Sequence, residues 1–416
     1  MNKTIALIAT LDTRAGEICY MRDLVEDMGH TPMVIDIGIL GEPPFEPDIK
    51  REDLLREIGL ELSELLALKG QHGRASKVMA DALVAKVKKL SESRAVDGAV
   101  AIGGGTGSSM VAEALQILPL GFPKVLVSTK AVQAGILEYV GAKDVVIIPS
   151  VCDIAGLNRI TKKILSNAVS CVVGMVEFSP NNDEFEEKHP VVVQMNGGVT
   201  GCGLALKNLL EKDNHEVIIF HGIGPGGRAL EDFVRSHDVS CCLELSVCEV
   251  GNELFGGRAS AGPDRFEAAC RKGIPQIIAP GSAEIINFLG PSSIPEKYKG
   301  RTFFSHNEQA TAMKLNGEEM RTLATVIAEK LNRAKGRTEL LIPLKGFCYI
   351  DQEGCPFWDP ECDEIFIKTL TENISPNVTV FNLDMHINDI EFVDFMYGRF
   401  LEITRRSSTD RLIKPR

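Results

Sequence analysis

The sequence predicts an α/β protein made of two Rossmann-like doubly wound domains with mainly parallel sheets. We expect the two domains to face a shared cleft. Short β-branched runs alternate with helical segments along the chain, and this alternation is typical of parallel sheets covered by helices on both faces. The pattern restarts after a polar, acidic stretch between residues 178 and 190. A chain of 416 residues is also too long for one ordinary domain. We therefore expect a nucleotide-binding domain over residues 1–180 and a domain with substrate loops over residues 190–416, joined by this linker.

The composition excludes several classes of protein. Hydrophobic residues make up 44% of the chain and charged residues 25%, which is typical of a soluble globular protein and excludes disordered, collagen-like and disulfide-scaffold proteins. A net charge of -12 repels nucleic acids and anionic membranes, so we expect neither as a partner. No apolar run approaches the length of a membrane span, and we interpret the short apolar run over residues 5–9 as a first strand rather than a signal peptide. An odd count of 11 cysteines without a secretory signal then predicts reduced thiols in the cytoplasm.

The elements follow from nearly continuous apolar runs, as expected for strands buried on both faces. In the first domain we predict strands at 4–10, 32–37, 98–102, 124–127 and 145–148, with helices at 15–28, 75–90, 108–117 and 157–176. In the second domain we predict a helix from about Gly203 and strands at 191–195, 216–220, 240–245, 276–279, 339–344 and 378–383.

A glycine-rich loop follows the third of these strands and leads into a helix. Glycines let backbone N–H groups approach an anion, and a helix N-terminus adds partial positive charge. The alternative is that Ser108 only caps the helix. The loop lacks the lysine of a Walker A box, and Ser108 replaces the third glycine of a dinucleotide fingerprint. The sequence therefore predicts a phosphate or nucleotide site formed by Gly103, Gly104, Gly105, Thr106, Gly107 and Ser108.

Other polar residues end neighbouring strands of the first domain, where ligands of open α/β sheets collect. Asp12 and Thr13 follow the first strand, where they would hold a ribose, a magnesium-bound water or a second phosphate oxygen, or simply cap the helix. Ser128 and Thr129 end another strand. Lys130 comes next and would either neutralise a phosphate or remain solvated. We expect these groups to line one cavity, together with the glycine loop, at the carboxyl ends of the strands.

The second domain has two glycine-rich loops of its own. The first opens a helix, and we predict that it binds substrate through Asn196, Gly197, Gly198, Thr200 and Gly201. The second begins with His221 at a strand end, where a histidine would act as a general base near neutral pH. The alternative is a histidine hydrogen-bonded to a neighbouring strand end.

A long polar, glycine-rich segment covers residues 249–265. It is too polar for a core element, so we predict a mobile lid or substrate loop. A surface loop with local salt bridges is the alternative. Glu249, Glu253 and Arg258 would be catalytic groups on this segment. Asp264 and Arg265 would start a helix and contact substrate.

Three later patches carry polar side chains, and we predict no metal site at any of them. Residues 280–284, which end in Glu284, follow a predicted strand, and residues 305–307 follow Phe303-Phe304. Residues 384–389 combine carboxylates with a histidine, and a strand-to-helix turn capped by Asn388 explains them as well. No CxxC pair occurs, so we interpret the cysteines as small buried hydrophobic residues rather than zinc ligands.

A family resemblance rests on seven stretches, which are residues 12–13, 103–109, 149–156, 196–201, 261–265, 273–276 and 343–346. They resemble an uncharacterised family of bacterial, fungal and plant proteins that includes the ATP-binding, inhibitory N-terminal region of the tomato mosaic virus resistance protein. The resemblance covers essentially the whole chain. It implies two α/β domains, ATP on the glycine loop of the first, and self-association as a dimer or tetramer. No reaction follows from it.

Three functions remain open at this point. The first is an ATP-binding enzyme, with or without Mg²⁺, that acts on an unidentified small metabolite. The second is a nucleotide-regulated protein-interaction module without catalysis. The third is a sugar-nucleotide or phosphosugar enzyme. The polar strand ends of both domains favour the first, because a scaffold has no need of them.

Overall fold

The computed structural model describes residues 2–131, 139–178 and 189–405. The chain divides into two compact units, Met1–Phe185 and Glu186–Arg416. Each unit contains a parallel sheet with helices on both faces, so the predicted fold class of two Rossmann-like domains is confirmed. Most of the linker predicted between residues 178 and 190 lies outside the described residues. In the described part of the chain, no helix is long and apolar enough to cross a membrane.

The first unit contains a five-stranded sheet. Its strands are β1 (Thr4–Ala9), β2 (Thr31–Asp36), β3 (Gly98–Gly103), β4 (Lys124–Ser128) and β5 (Val146–Pro149). Their order is β2-β1-β3-β4-β5, and all neighbours are parallel. The described helices are α1 (Leu11–Asp27), α2 (Arg51–Arg56), α3 (Leu62–Leu66), α4 (His72–Glu92), α5 (Gly105–Gln116) and α6 (Arg159–Phe178).

This sheet is buried on both faces because successive side chains of a strand point in opposite directions. On β1, Leu7 packs on one face in the same cluster as Ile18 of α1 and Leu165 of α6. The next residue, Ile8, packs on the other face with Leu83 of α4. Apolar runs without alternation are therefore what this sheet requires.

The second unit contains a larger sheet. Its strands are β6 (Val191–Met195), β7 (Val217–His221), β8 (Cys241–Glu244), β9 (Gln276–Ile278), β13 (Thr338–Pro343) and β14 (Val378–Leu383). The order is β14-β13-β9-β8-β6-β7, again with parallel neighbours. The described helices are α7 (Thr200–Lys212), α8 (Pro225–Ser236), α9 (Cys248–Phe255), α10 (Glu267–Lys272), α11 (Gly317–Leu331), α12 (Pro360–Asn373) and α13 (Ile390–Thr404).

A small antiparallel sheet was not predicted. It consists of β10 (Ile285–Phe288), β11 (Phe303–Asn307) and β12 (Ala310–Lys314), with β12 in the centre. The polar residues 305–307 therefore lie within β11. The side chain of Asn307 accepts a hydrogen bond from the backbone N–H of Gln309 at 2.8 Å, which stabilises the turn between β11 and β12.

Candidate functional site

The first sheet has a topological switch point between β1 and β3. Chain connections leave these two strands in opposite directions, which opens a crevice at their carboxyl ends. A cavity of about 250 Å³ lies there. It is lined by Thr10, Asp12, Thr13, Arg14, Ile39, Leu40, His72, Gly104, Gly105, Thr106, Gly107 and Met110. The structure therefore brings the predicted glycine loop and the predicted Asp12-Thr13 pair to one cavity.

Two helices begin at this cavity without a side-chain cap. Helix α4 starts at His72 and α5 at Gly105, and their N-cap residues, Gln71 and Gly104, make no side-chain hydrogen bond to the first turn. The first amides of a helix have no acceptor within the helix. The positive ends of two helix dipoles therefore meet at the cavity, which favours a bound anion.

Glycine is required where the loop leaves β3. A Cβ built on Gly103 would lie 2.5 Å from the backbone nitrogen of Ser108, which no side chain can tolerate. The Ser108 hydroxyl donates to the Gly103 carbonyl at 3.1 Å and lies 2.7 Å from the Ser128 hydroxyl. Ser108 and Ser128 are both buried. Their hydroxyls thus bond to the protein and fix the loop against β4.

Two cations border the loop. A Cβ built on Gly104 would lie 3.9 Å from a guanidinium nitrogen of Arg14 and from the hydroxyl of Thr129. A Cβ built on Gly105 would lie 3.2 Å from Cε of Lys130. Sequence reasoning missed Arg14, although it directly follows the Asp12-Thr13 pair. Its backbone departs from helical geometry (φ -130°, ψ 18°) inside α1.

Asp12 does not cap the helix that follows β1. Helix α1 begins at Leu11, and the Leu11 amide donates to Oδ1 of Asp36, at the end of β2, at 3.0 Å. The alternative in which Asp12 or Thr13 caps α1 is therefore wrong. Oδ2 of Asp12 instead accepts the amides of Leu40 and Gly41 at 2.9 and 3.1 Å. Its other oxygen, Oδ1, is buried without a hydrogen-bond partner among the described residues.

Asp36 lies beside Asp12. Both carboxyl groups would contact a Cβ built on Gly38, at 3.1 Å for Asp36 Oδ1 and 3.2 Å for Asp12 Cγ. Burial raises the pKa of Asp36, and the charge of Asp12 adds to this increase. Asp12 therefore lines the cavity, and the buried Asp36 lies next to it at the end of β2.

The corresponding switch point of the second sheet lies between β6 and β8. The side chain of Asn196 spans it. Its nitrogen donates to the hydroxyl of Ser246 at 3.0 Å, and its oxygen accepts from the Gly198 amide at 3.0 Å and the Ser282 hydroxyl at 3.1 Å. One amide side chain thus ties together the ends of β6, β8 and β9.

The other predicted substrate residues are held by neighbouring strand ends. The hydroxyl of Thr200 donates to the Asn196 carbonyl at 3.1 Å. Oδ1 of Asn388 accepts the Cys202 amide at 3.1 Å and would lie 3.3 Å from a Cβ on Gly201. Asn388 does not cap α13, whose N-cap residue is Asp389. Residues 196–201 therefore lie together at the carboxyl end of β6, where internal hydrogen bonds hold their polar groups.

The prediction of a mobile lid over residues 249–265 is wrong. Helix α9 occupies its first part, and Glu249, Asn252 and Arg265 are all buried. Oδ1 of Asn252 accepts the amides of Asn287 at 2.8 Å and Ala259 at 3.2 Å, which joins the segment to β10. The next helix, α10, begins at Glu267 and not at Asp264. Polar residues enter the core here because each has a hydrogen-bond partner.

Arg265 is the centre of a buried ion cluster. Its guanidinium donates to Glu231 at 3.1 Å, Glu244 at 3.0 Å and Glu249 at 2.7 Å, and all three glutamates are buried. Burial raises the pKa of Glu231, whereas the charge of Arg265 acts in the opposite direction. Sequence reasoning did not predict this cluster because Glu231 and Glu244 lie on different elements.

The remaining predicted catalytic residues lie at the surface. His221, Glu253 and Arg258 are exposed. The carboxylate of Glu253 accepts a hydrogen bond from the Ser260 hydroxyl, and the Arg258 amide donates to the Asn287 carbonyl at 2.7 Å. The structure therefore pairs Glu249 with Arg265 in the interior and leaves these three side chains on the surface.

Comparison with known proteins covers both units. Models of the N-terminal and C-terminal domains of the Uncharacterised protein family (UPF0261) match residues 3–181 and 188–404. A UPF0261 protein of Clostridium tetani is 38% identical over 408 residues, which is 98% of this chain and 100% of that protein. The ToMV resistance protein Tm-1(GCR237) of Solanum lycopersicum is 35% identical over 342 residues, which is 80% of this chain and 45% of the tomato protein.

Solved structures are only remotely similar. A putative UDP-N-acetylglucosamine 2-epimerase from Listeria monocytogenes matches with 10% identity and a TM-score of 0.22, over 67% of this chain and 79% of that one. A TM-score this low carries no argument about ligand or function. The family models and the relatives confirm the resemblance, and the chain belongs to the Uncharacterised protein family (UPF0261).

Proposed function

We propose that the first domain binds a nucleotide, ATP, through its phosphates in the cavity between β1 and β3. The observation that carries this proposal is the meeting of two uncapped helix N-termini with the Arg14 guanidinium at one cavity. Backbone amides at a helix N-terminus and a guanidinium are both groups that recognise phosphate. The second domain then acts on a small metabolite, with the nucleotide as co-substrate or regulator.

The lining residues divide into three groups with different chemistry. The amides of Gly105, Thr106 and Gly107 would donate to an anion bound at the start of α5, and Lys130 would add positive charge beside them. The free Oδ1 of Asp12 is suited to accept a ribose hydroxyl or a Mg²⁺-bound water. Leu40 and Met110 supply apolar surface for the base or the sugar. Ser108 and Ser128 act by holding the loop in place.

A second candidate function is a nucleotide-regulated interaction module without catalysis. The observation that favours it is that the side chain of Asn196 is buried at the β6–β8 switch point and hydrogen-bonded to Ser246 and Ser282. A catalytic domain of this fold needs an open crevice there for its substrate. Under this hypothesis the second domain serves as a rigid body, and ATP changes its association with itself or with another protein.

Isothermal titration calorimetry tests the nucleotide site. Wild-type protein is titrated with ATP, ADP, UDP-glucose and inorganic phosphate, with and without Mg²⁺. The variant Arg14→Ala removes the guanidinium, and Arg22→Ala is the matched control because it lies on the same helix and pairs with Asp23 on the surface. A charge-assisted hydrogen bond is worth about 1.5–3 kcal/mol, so we expect Arg14→Ala to weaken ATP binding roughly 10- to 100-fold. Arg22→Ala should bind as the wild type does.

The outcomes separate the hypotheses. Equal ATP affinity in Arg14→Ala and wild type would refute the proposed site. UDP-glucose binding tighter than ATP would favour a sugar-nucleotide enzyme. If ATP binds, light scattering with and without ATP distinguishes the two remaining functions. A change of mass without phosphate release supports the interaction module, whereas metabolite-dependent phosphate release at constant mass supports the enzyme.

A further inference from the structure

Three acidic side chains lie together in the interior of the second domain. Glu284 follows β9, Asp351 lies in the loop after β13, and Asp363 lies in the first turn of α12. Their exposed fractions are 0%, 0% and 6%. We call them the acid cluster. The sequence singled out Glu284 in a polar patch but did not predict the cluster, because its members lie on separate elements that only the fold brings together.

Each member of the acid cluster has one carboxyl oxygen without a hydrogen-bond partner among the described residues. These atoms are Glu284 Oε2, Asp351 Oδ1 and Asp363 Oδ1. The other oxygen of Glu284 accepts the Cys348 thiol at 2.8 Å, and the other oxygen of Asp351 accepts the Phe347 amide at 2.8 Å. A buried ionised carboxylate with a bare oxygen is strongly unfavourable, so a proton or a cation is required.

The cations near the cluster do not balance three negative charges. Lys314 on β12 faces all three carboxyl groups, and its ammonium donates to the Phe357 carbonyl at 2.5 Å. His386 faces Asp351, but its Nδ1 accepts the Asn388 amide at 3.1 Å, which leaves Nε2 to donate to the Cys348 carbonyl. A ring with one accepting nitrogen is neutral. One ammonium therefore faces three carboxyl groups.

Protons are the simplest way to remove the remaining charge. Burial raises the pKa of Glu284 to about 8, and the charge of Asp351 adds to this. Burial raises the pKa of Asp363 to about 9, and it also raises that of Asp351. Cys348, whose thiol donates to Glu284, and Asp359 and Cys362, at the start of α12, are further titratable groups that face the cluster. In the described part of the chain, no group of His, Cys, Asp and Glu side chains is arranged to hold a metal ion.

Cys348 connects the acid cluster to the carboxyl end of β6. Its thiol donates to Glu284, and its Cβ would lie 2.9 Å from a Cβ built on Gly198. The next amide, that of Tyr349, donates to the Gly198 carbonyl at 3.2 Å. The backbone that carries Asp351 thus packs directly on the loop of residues 196–198.

We propose that the acid cluster holds protons at neutral pH and that their loss at alkaline pH loosens the loop of residues 196–198 through Cys348. Ionisation releases a proton to solvent and leaves carboxylates that repel one another in the interior. The segment around Cys348 then moves to separate them, and the contacts with Gly198 weaken. This pH response involves residues of the second domain and does not depend on the nucleotide site proposed for the first.

Infrared spectroscopy of the intact protein tests the protonation. A protonated carboxyl group has a C=O stretch that an ionised one lacks. We expect this band at pH 7, a weaker band in Glu284→Gln and in Asp363→Asn, and its loss by about pH 10. Glu361→Gln is the matched control, since this exposed residue lies in the same helical turn as Asp363. It should leave the band unchanged. No band at pH 7, or a band that both cluster variants leave intact, would overturn the proposal.

Hydrogen exchange tests the connection to the loop. After correction for the intrinsic effect of pH, we expect amide protection in residues 196–202 to fall roughly tenfold between pH 7 and pH 10 in the wild type and in Glu361→Gln. Glu284→Gln, which cannot ionise, should show a smaller fall. If the infrared band is lost on raising the pH while amide protection of residues 196–202 stays constant, the acid cluster holds protons but their loss does not loosen the loop. The proposal then fails.

A pH titration of tryptophan fluorescence in the wild type needs no variant. It therefore tests the proposal even if the cluster variants fail to fold. Trp358 is the only tryptophan in the chain and follows Phe357, whose carbonyl accepts the Lys314 ammonium. We expect its emission to change in the same pH range as the infrared band. An emission spectrum that stays constant over that range would contradict the proposed movement.

Discussion

Glu249 Oε2 lies 2.7 Å from Nε of Arg265, and both side chains are buried. The other oxygen of Glu249 accepts the amides of Gly224 at 2.6 Å and Gly227 at 3.1 Å, at the N-terminus of α8. A carboxylate of the protein thus occupies the position that a phosphate would take at a helix N-terminus. The glycine-rich loop after β7 is therefore occupied by the carboxylate of Glu249, whereas the glycine loop after β3 borders a cavity.

Removing Glu249 should destabilise the second domain. In Glu249→Ala, Arg265 loses one of its three carboxylate partners and the amides of Gly224 and Gly227 lose their acceptor. Breaking a buried ion pair costs about 3–5 kcal/mol. Urea unfolding followed by Trp358 fluorescence reports on this domain alone. Glu253→Ala, on the exposed side of the same helix, should shift the free energy of unfolding by less than about 0.5 kcal/mol. Equal shifts in the two variants would show that the cluster does not stabilise the domain.

Substitution by alanine should affect the stability of the first domain differently at two adjacent glycines. A Cβ on Gly103 would collide with the backbone of Ser108, so Gly103→Ala should destabilise the first domain by about 1–3 kcal/mol. The atoms nearest to a Cβ on Gly104 are 3.9 Å away, and its φ of -79° suits any residue. Gly104→Ala should therefore leave thermal melting unchanged, as measured by circular dichroism, while it weakens ATP binding. Loss of stability in Gly104→Ala would contradict the loop geometry.

The stability of the second domain should fall as the pH rises from about 5 to about 9. The pKa values of Glu284 and Asp363 in the folded protein, about 8 and 9, exceed their ordinary values of 4.5 and 3.8. Between these limits the unfolded chain has lost the protons that the folded chain retains. The free energy of unfolding then decreases by at most roughly 1.4 kcal/mol per pH unit for each group, and it levels off above about pH 9.

Urea unfolding at a series of pH values, followed by Trp358 fluorescence, measures this slope. Asp363→Asn should reduce the slope and stabilise the domain at pH 9, because an amide does not ionise. Glu361→Gln again serves as the control. A wild-type stability that is constant or increasing over this range would show that the carboxyl groups are ionised in the folded protein.

The cysteines should separate into two classes of reactivity. Cys19, Cys152, Cys171 and Cys355 are partly exposed, whereas the other seven of the eleven are buried. Burial raises the pKa of Cys202 and of Cys248 to about 12, so these thiols are protonated at pH 8. A thiol reagent should therefore titrate at most four groups quickly in native protein, and the rest only on unfolding. Mass spectrometry identifies the labelled residues, and rapid labelling of Cys202 or Cys248 would contradict the packing.

Each strand that the sequence predicted is present in the two parallel sheets, within one or two residues at its ends. A strand buried on both faces requires a continuous apolar run, and such a run is visible without knowledge of its neighbours. The small sheet of β10, β11 and β12 was missed because β11 ends in Ser305, His306 and Asn307, which form no apolar run. Likewise, the sequence predicted the part of α1 from Ala15 onward but not the turn from Leu11, which the non-helical Arg14 separates from it and whose first amide is accepted by Asp36 of β2.

The sequence by itself determined the α/β class, the parallel strands and the glycine loop after β3, because these depend on local apolar runs and on residues adjacent in the chain. The tertiary structure decided which polar residues have partners. It paired Glu249 with Arg265, buried the Ser108 hydroxyl against Ser128, and placed Arg14 beside the glycine loop. It also gathered Glu284, Asp351 and Asp363 from three separate segments. Charge pairing and burial depend on distances in space, which the order of residues along the chain does not contain. Only the tertiary structure therefore separates polar side chains that stabilise the fold from polar side chains that are available to bind a ligand.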